Sequence, residues 1–132
     1  MANASNFLRT QIGTEFLNLG SGTLPSTLYI GLFTVAEDAT GTAGTEVSGG
    51  GYARKQIAAS QFADNGTGTF TLSNAQEFVT ATGSWGTVVG MGIFDAATSG
   101  NLLFFDTITQ SKTIATGDAF RFNASSIVVT IS

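Results

Sequence analysis

The chain has 132 residues, no cysteine and no histidine; only 11% of its residues are charged, and its formal net charge is −4. The missing residue types exclude disulfide bonds, thiolate nucleophiles and the usual histidine base or metal ligand. Five scattered basic residues do not make the basic patch that a nucleic-acid-binding protein needs. We therefore expect a non-enzymatic protein with no cofactor, metal site or catalytic residue, and no nucleic-acid partner.

A helix is predicted over residues 5–18. Ser5 is suited to cap its N-terminus and Gly20 to end it. Two roles are open for it: a cover over one end of a sheet, or an arm that docks on a neighbouring subunit. The apolar residues of this segment share one helical stripe: Leu8, Ile12, Phe16 and Leu19.

From residue 27 onwards the apolar pattern has the two-residue period of β-strands. Residues 27–35 carry apolar side chains on both faces, which predicts a strand buried on both sides. Residues 36–51 read as a long Gly- and Thr-rich loop, and such loops are usually functional or mobile. Further strands are predicted over residues 52–60, 67–72, 75–80, 87–95, 101–109, 112–115, 119–123 and 126–131.

These short strands and their turns predict one all-β domain over residues 1–132. The expected architecture is an antiparallel β-sandwich or a small β-barrel with one short N-terminal helix. No apolar run approaches the roughly 20 residues of a membrane-spanning helix, and the N-terminal residues lack a signal-peptide pattern. We therefore expect a soluble protein made in the cytoplasm, with no membrane partner.

Three residues are candidates for contact with a ligand or a partner: Tyr52, Arg54 and Trp85. Arg54 is predicted to pair with an acidic residue of its own chain or of a neighbouring subunit. Trp85 has two interpretations, as an exposed ring that stacks on a sugar or as a plug at the end of the sandwich. The three glycines before Tyr52, at positions 49–51, indicate a sharp bend or a close approach of two chain segments.

Three acidic motifs are candidates for chemical sites. Asp95 and Asp106 lie on the two arms of a predicted hairpin and could act as a carboxylate pair only if they faced each other. The stretch 64–68 has oxygen ligands for Ca²⁺ but lacks the further carboxylates of a calcium loop, which favours a plain turn. Glu37 and Asp38 are interpreted as solvated loop residues.

Several segments occur together in a characteristic order. Residues 28–34 (LYIGLFT) are followed by residues 44–54 (GTEVSGGGYAR) and by the hairpin over residues 85–105. The segments 112–114 (KTI) and 117–118 (GD) complete the pattern, which extends over residues 25–131. In this combination the chain resembles a family of small tailed-bacteriophage virion proteins, whose members are often labelled tail-fibre proteins.

The resemblance implies a structural part of a phage particle, made in the host cytoplasm and located in the virion. A fibre shaft needs length or repeats, and this chain has neither, so we interpret it as a capsid decoration (cement) protein. Its expected partners are the major capsid protein and copies of itself in a homotrimer. The alternative is a small tail or tail-fibre accessory domain for host adhesion, which would bind a host glycan through Trp85, Tyr52 and the loop over residues 36–51.

Overall fold

The computed structural model describes residues 3–17 and 26–130. Within them the chain is mainly β, and no helix has both the length and the apolar character needed to cross a membrane. The predicted end of the helix at Gly20 lies outside the described residues. The elements in chain order are β1 (Asn3–Ala4), α1 (Asn6–Leu17), β2 (Thr27–Val35), β3 (Thr45–Glu46), β4 (Lys55–Ala58), a 3₁₀ turn (Ala59–Gln61), β5 (Phe62–Asp64), β6 (Thr69–Leu72), β7 (Gln76–Glu77), β8 (Gly86–Phe94), β9 (Leu102–Ile114), β10 (Arg121–Phe122) and β11 (Val128–Thr130).

The strands form two layers. In the main six-stranded sheet the order is β1, β9, β8 and β2, and β3 and β4 share the far edge of β2. The second layer contains the sheet β11–β6–β5 and the pair β10–β7. Ile30 and Ile93 of the main sheet share one core cluster with Leu72 and Val129 of the second layer. The predicted antiparallel sandwich with one helix is thereby confirmed, and the described strands do not close into a barrel.

Strand β2 has the predicted bounds and is buried on both faces. Leu32 belongs to the main core, whereas Phe33 packs on the opposite face of the sheet with Phe94 and Leu102. This second, smaller cluster explains why β2 lacks the polar–apolar alternation of a strand with one solvated face. The main sheet is therefore covered on both sides in its central strands.

The segment over residues 36–51 contains regular structure as well as turns. Its strand β3 pairs with the end of β2, and the next residue, Val47, is only 5% exposed and donates its backbone N–H to Leu32 O. Glu37 Oε1 accepts the backbone N–H of Gly44 at 2.8 Å, which closes the intervening turn. Because β3 has only two residues among glycines and threonines, the sequence pattern did not separate it from the loop.

Two other strand predictions differ from the structure. The predicted strand over residues 52–60 is shortened to β4, which pairs with β2 in the main sheet, and a separate strand, β5, precedes the turn at Asp64 and pairs with β6. The predicted strands over residues 101–109 and 112–115 are one continuous strand, β9. It contains a wide bulge, since Thr107 lies opposite Gly90 and Lys112 lies opposite Val88. Bulges of this kind interrupt the apolar period and therefore look like strand ends in a sequence.

Ser5 is the N-cap of α1, as predicted. Its hydroxyl accepts the backbone N–H of Leu8 at 3.2 Å and donates to Leu102 O at 2.5 Å. Ser5 N also donates to Leu103 O, so one buried residue fixes the start of the helix on β9. Leu8 is buried in the main core, which places α1 as a cover over the sandwich.

Replacement of Ser5 by alanine is expected to lower the free energy of unfolding by about 1–2 kcal/mol, since the cap of α1 and its link to β9 are lost together. Urea denaturation followed by circular dichroism measures the change. The matched control is Ser60→Ala, at an exposed position in the 3₁₀ turn, with an expected change within about 0.5 kcal/mol. Equal stabilities of the two variants would contradict the capping role.

Candidate functional site

A partly buried ion pair joins two segments that lie on the same edge of β2. Glu46 belongs to β3, and Arg54 immediately precedes β4. Arg54 Nε donates to Glu46 Oε2 and Arg54 NH2 donates to Glu46 Oε1, both at 2.8 Å. The side chain of Arg54 is 8% exposed and that of Glu46 is 24% exposed, so this bidentate pair is largely shielded from water. The predicted pairing of Arg54 within its own chain is confirmed.

The rest of the Arg54 guanidinium holds the hairpin turn between β8 and β9. Arg54 NH1 donates to Ala96 O at 2.9 Å and to Ser99 O at 2.7 Å. The guanidinium carbon lies 3.6 Å from the centroid of the Phe94 ring, whose other neighbour is the stacked ring of Phe33. One side chain thus connects β3, the start of β4 and the β8–β9 turn through hydrogen bonds and a cation–π contact.

Tyr52 extends this cluster towards the core. Its hydroxyl donates to Glu46 Oε2 at 2.6 Å and accepts the backbone N–H of Leu32 at 2.9 Å. Burial of the phenol, together with the hydrogen bond to the Glu46 carboxylate, raises the pKa of Tyr52 well above its ordinary value. The Tyr52 ring packs edge to face against the Trp85 ring, with 5.3 Å between the ring centroids. Tyr52 is therefore protonated in the folded state at every physiological pH.

Trp85 is a core residue. Its ring is 3% exposed, and Nε1 donates to Gly50 O at 2.8 Å. The interpretation of Trp85 as an exposed ring for sugar stacking does not fit this geometry, because the residue is almost completely buried. Burial is what the other interpretation, a plug at the end of the sandwich, requires. The structure brings Tyr52, Arg54 and Trp85 into one continuous chain of contacts, and their role in binding a ligand or partner stays a prediction.

The raised pKa of Tyr52 predicts a loss of stability at alkaline pH. Below about pH 10 the phenol is protonated in both states, and above it the unfolded chain releases this proton while the folded chain retains it. Stability should therefore fall as the pH rises from about 10. Replacement by phenylalanine should flatten this dependence, as measured by urea midpoints between pH 8 and 11. The chain has one other tyrosine, so Tyr29→Phe is the matched control, and an unchanged slope in Tyr52→Phe would contradict the assignment.

The candidate carboxylates are not arranged for chemistry. Asp106 lies opposite Met91, and Met91 precedes Asp95 by four residues, so the backbone positions of the two aspartates are about 13 Å apart along the hairpin. Pairs that hydrolyse glycosides are roughly 5–9.5 Å apart. Asp95 instead accepts the backbone N–H and side-chain N–H of Asn101 at 2.8 and 3.0 Å. Its role is that of a turn residue.

The other acidic motifs also stabilise turns. Asp64 Oδ1 accepts the backbone N–H of Gly66 at 2.8 Å, which confirms the predicted turn. Asp38 accepts both the backbone N–H and the hydroxyl of Thr40, and these hydrogen bonds lower the pKa of Asp38. In the part of the chain that the structure describes, no cluster of three or more acidic side chains could hold a metal ion.

A groove that the sequence did not reveal lies beside the bulge of β9. It has a volume of about 650 Å³ and lies between this bulge and residues 120–127. Its charged lining residues are Asp106, Lys112 and Arg121, and Phe120 and Phe122 lie at its buried base. The lining residues come from separate strands, so only the fold brings them together.

The fold and these clusters define a small antiparallel β-sandwich domain whose ionic and aromatic side chains hold its loops in place. The family model of the Podophage GP4 fiber I protein gp80 matches residues 3–130, almost the whole chain, and the chain therefore belongs to this family. It is accordingly a component of a tailed-phage virion, from a family of podophage fibre proteins. No match was found among curated proteins.

Proposed function

We propose that the chain is a non-enzymatic structural domain of the podophage tail fibre, which acts through contacts with other fibre subunits and with copies of itself. The match to a podophage fibre family over residues 3–130 carries this proposal. It also favours the tail over the capsid surface, the position that the lack of fibre-like repeats had suggested. A compact domain can serve at the base, junction or tip of a fibre without the length or repeats of a shaft.

The geometry of the site supports a role in assembly. The charged and aromatic groups around Arg54 are engaged with one another, and they fix the β8–β9 turn and the segment after β2. Such preorganised loops present a surface of constant shape, which lowers the entropic cost of association. The low fraction of charged residues also suits a surface that is covered by neighbouring subunits.

A second candidate function is capsid decoration, with the major capsid protein as partner. The observation that favours it is the compact two-layer fold of a short chain without internal repeats. Decoration proteins would occupy many equivalent sites on the shell, where multivalency reinforces weak contacts. Glycan binding through Trp85 is not proposed, because its ring is buried.

Copy number and position within purified virions distinguish the two functions. Quantitative mass spectrometry against the major capsid protein gives the number of copies, and immunogold electron microscopy gives the location. For a fibre domain we expect a small number of copies per particle and label at the tail. A copy number near that of the shell subunit, with label over the capsid, would replace the fibre proposal by decoration. Absence from the particle would contradict both.

A further inference from the structure

The turn between β5 and β6 contains the one asparagine of the sequence that precedes a glycine, Asn65 followed by Gly66. In such a pair the glycine nitrogen can attack the side-chain amide carbon of asparagine, which expels ammonia and closes a succinimide ring. Glycine favours this attack because it has no Cβ to shield its nitrogen. Gly66 has a φ of 89°, and a Cβ there would meet nothing within 4 Å, so no neighbouring segment crowds this position.

The Asp64 carboxylate lies where it can take the proton from the attacking nitrogen. Gly66 N donates its hydrogen to Asp64 Oδ1 at 2.8 Å. An amide nitrogen is a poor nucleophile until it loses this proton, and a general base within hydrogen-bond distance lowers that barrier. Because the N–H lies in the plane of its peptide group, the hydrogen can pass to Asp64 while the electron pair above the plane attacks Asn65 Cγ.

The carbonyl group under attack receives two hydrogen bonds from Thr67. The backbone N–H of Thr67 donates to Asn65 Oδ1 at 3.0 Å, and the Thr67 hydroxyl donates to the same oxygen at 2.8 Å. Negative charge develops on Asn65 Oδ1 as Cγ becomes tetrahedral, and donors that are already in place at this distance stabilise that charge. The turn thus contains a nucleophile, a base and a pair of oxyanion donors within four consecutive residues.

The hairpin fixes this arrangement and leaves it open to water. Asn65 N donates to Thr69 O at 3.0 Å, and the residues before the turn pair with those after it in the sheet of β5 and β6. Residues 63–67 are exposed. Ammonia can therefore leave the turn, and water can reach the ring that forms.

We propose that this turn is a self-modification site, at which Asp64 and Thr67 promote cyclisation of Asn65 onto the nitrogen of Gly66. A bond forms between Gly66 N and Asn65 Cγ, the bond from Cγ to Nδ2 breaks, and the proton of Gly66 N leaves with the ammonia by way of Asp64. Water then opens the ring at either carbonyl and gives aspartate or isoaspartate at position 65. Either product adds one negative charge beside Asp64, and isoaspartate also lengthens the backbone of the turn by one methylene group.

A comparison of the native chain with the unfolded chain tests the proposal. The full chain is incubated at neutral pH, in buffer or in guanidinium chloride, and its peptides are analysed by mass spectrometry with electron-transfer fragmentation, which distinguishes aspartate from isoaspartate. We expect position 65 to react at least about tenfold faster in the native chain, because only the fold holds the base against the nucleophile. Asn74, which is exposed and precedes alanine, is the internal reference and should react more slowly than Asn65.

An unfolded chain that reacts as fast as the native chain, or faster, would overturn the proposal. The hydrogen bond to Asp64 would then merely hold the proton on Gly66 N, and the turn would protect Asn65 instead of promoting its cyclisation.

Three variants test the assigned roles in the native chain, with circular dichroism as the check that each is folded. Asp64→Asn keeps an oxygen that can accept the Gly66 N–H but removes the base, and we expect the rate at position 65 to fall at least about tenfold. Thr67→Val retains the backbone donor and loses the hydroxyl, and its rate should fall at least about threefold. Glu77→Gln removes the same charge as Asp64→Asn at an exposed position of β7 and should leave the rate unaltered. An unchanged rate in folded Asp64→Asn would also overturn the proposal.

Discussion

Replacement of Arg54 by methionine is expected to lower the free energy of unfolding by about 2–4 kcal/mol, because it leaves the partly buried Glu46 carboxylate without its cation. Methionine preserves much of the aliphatic volume of arginine, so the lost free energy of unfolding reports the contribution of the guanidinium group. Two hydrogen bonds to Glu46, two to the backbone of the β8–β9 turn and the contact with Phe94 disappear together. Guanidinium chloride denaturation of the purified chain gives the change directly.

Two further variants distinguish the stability contributed by the ion pair from the general effect of removing a positive charge. Lys55→Met removes a cation from the next residue and should change the stability by less than about 1 kcal/mol. Arg54→Met combined with Glu46→Gln should be more stable than Arg54→Met alone, since the double variant has no unpaired buried charge. A loss below about 1 kcal/mol in Arg54→Met, or no recovery in the double variant, would show that the pair contributes little.

Much of the architecture was predictable because its signals are local. The apolar run over residues 27–35 and the hairpin that follows Trp85 define the central strands, and the structure confirms both. Ser5 was recognisable as an N-cap from its place before a helical stripe. In each case neighbouring residues carry the pattern, so no knowledge of tertiary contacts was required.

The parts that escaped prediction depend on contacts between distant segments. Glu46 could not be singled out as the partner of Arg54, because the bend at residues 49–51 is what brings the two together. Likewise the groove beside β9 combines Asp106 with Arg121, and no spacing in the sequence indicates that they share a surface. Trp85 was ambiguous for the same reason, since its burial depends on Gly50 and Tyr52.

The bend at residues 49–51 provides the second prediction with a large effect. Gly50 has a φ of 59°, and its carbonyl accepts hydrogen bonds from both Trp85 Nε1 and the backbone N–H of Thr82. A Cβ at this position would lie 2.7 Å from Gly83 O and 2.9 Å from Trp85 Cδ1. The Gly83 backbone and the Trp85 indole cannot both move away from such a Cβ without breaking these hydrogen bonds. Gly50 therefore joins the loop after β3 to the segment that leads into β8.

Gly50→Ala is expected to lower the free energy of unfolding by about 2–5 kcal/mol, as left-handed backbone strain and overpacking add together. Gly49→Ala is a closely matched control: its φ is 75°, but a Cβ there meets nothing within 4 Å, so only the strain of about 1–2 kcal/mol applies. The single tryptophan, Trp85, reports on this site, and denaturation followed by its fluorescence measures both variants. In Gly50→Ala the native emission should also shift to longer wavelength, since water gains access to the indole. Equal losses in the two variants would mean that the close approach to Gly83 and Trp85 relaxes without cost, and that φ alone requires glycine here.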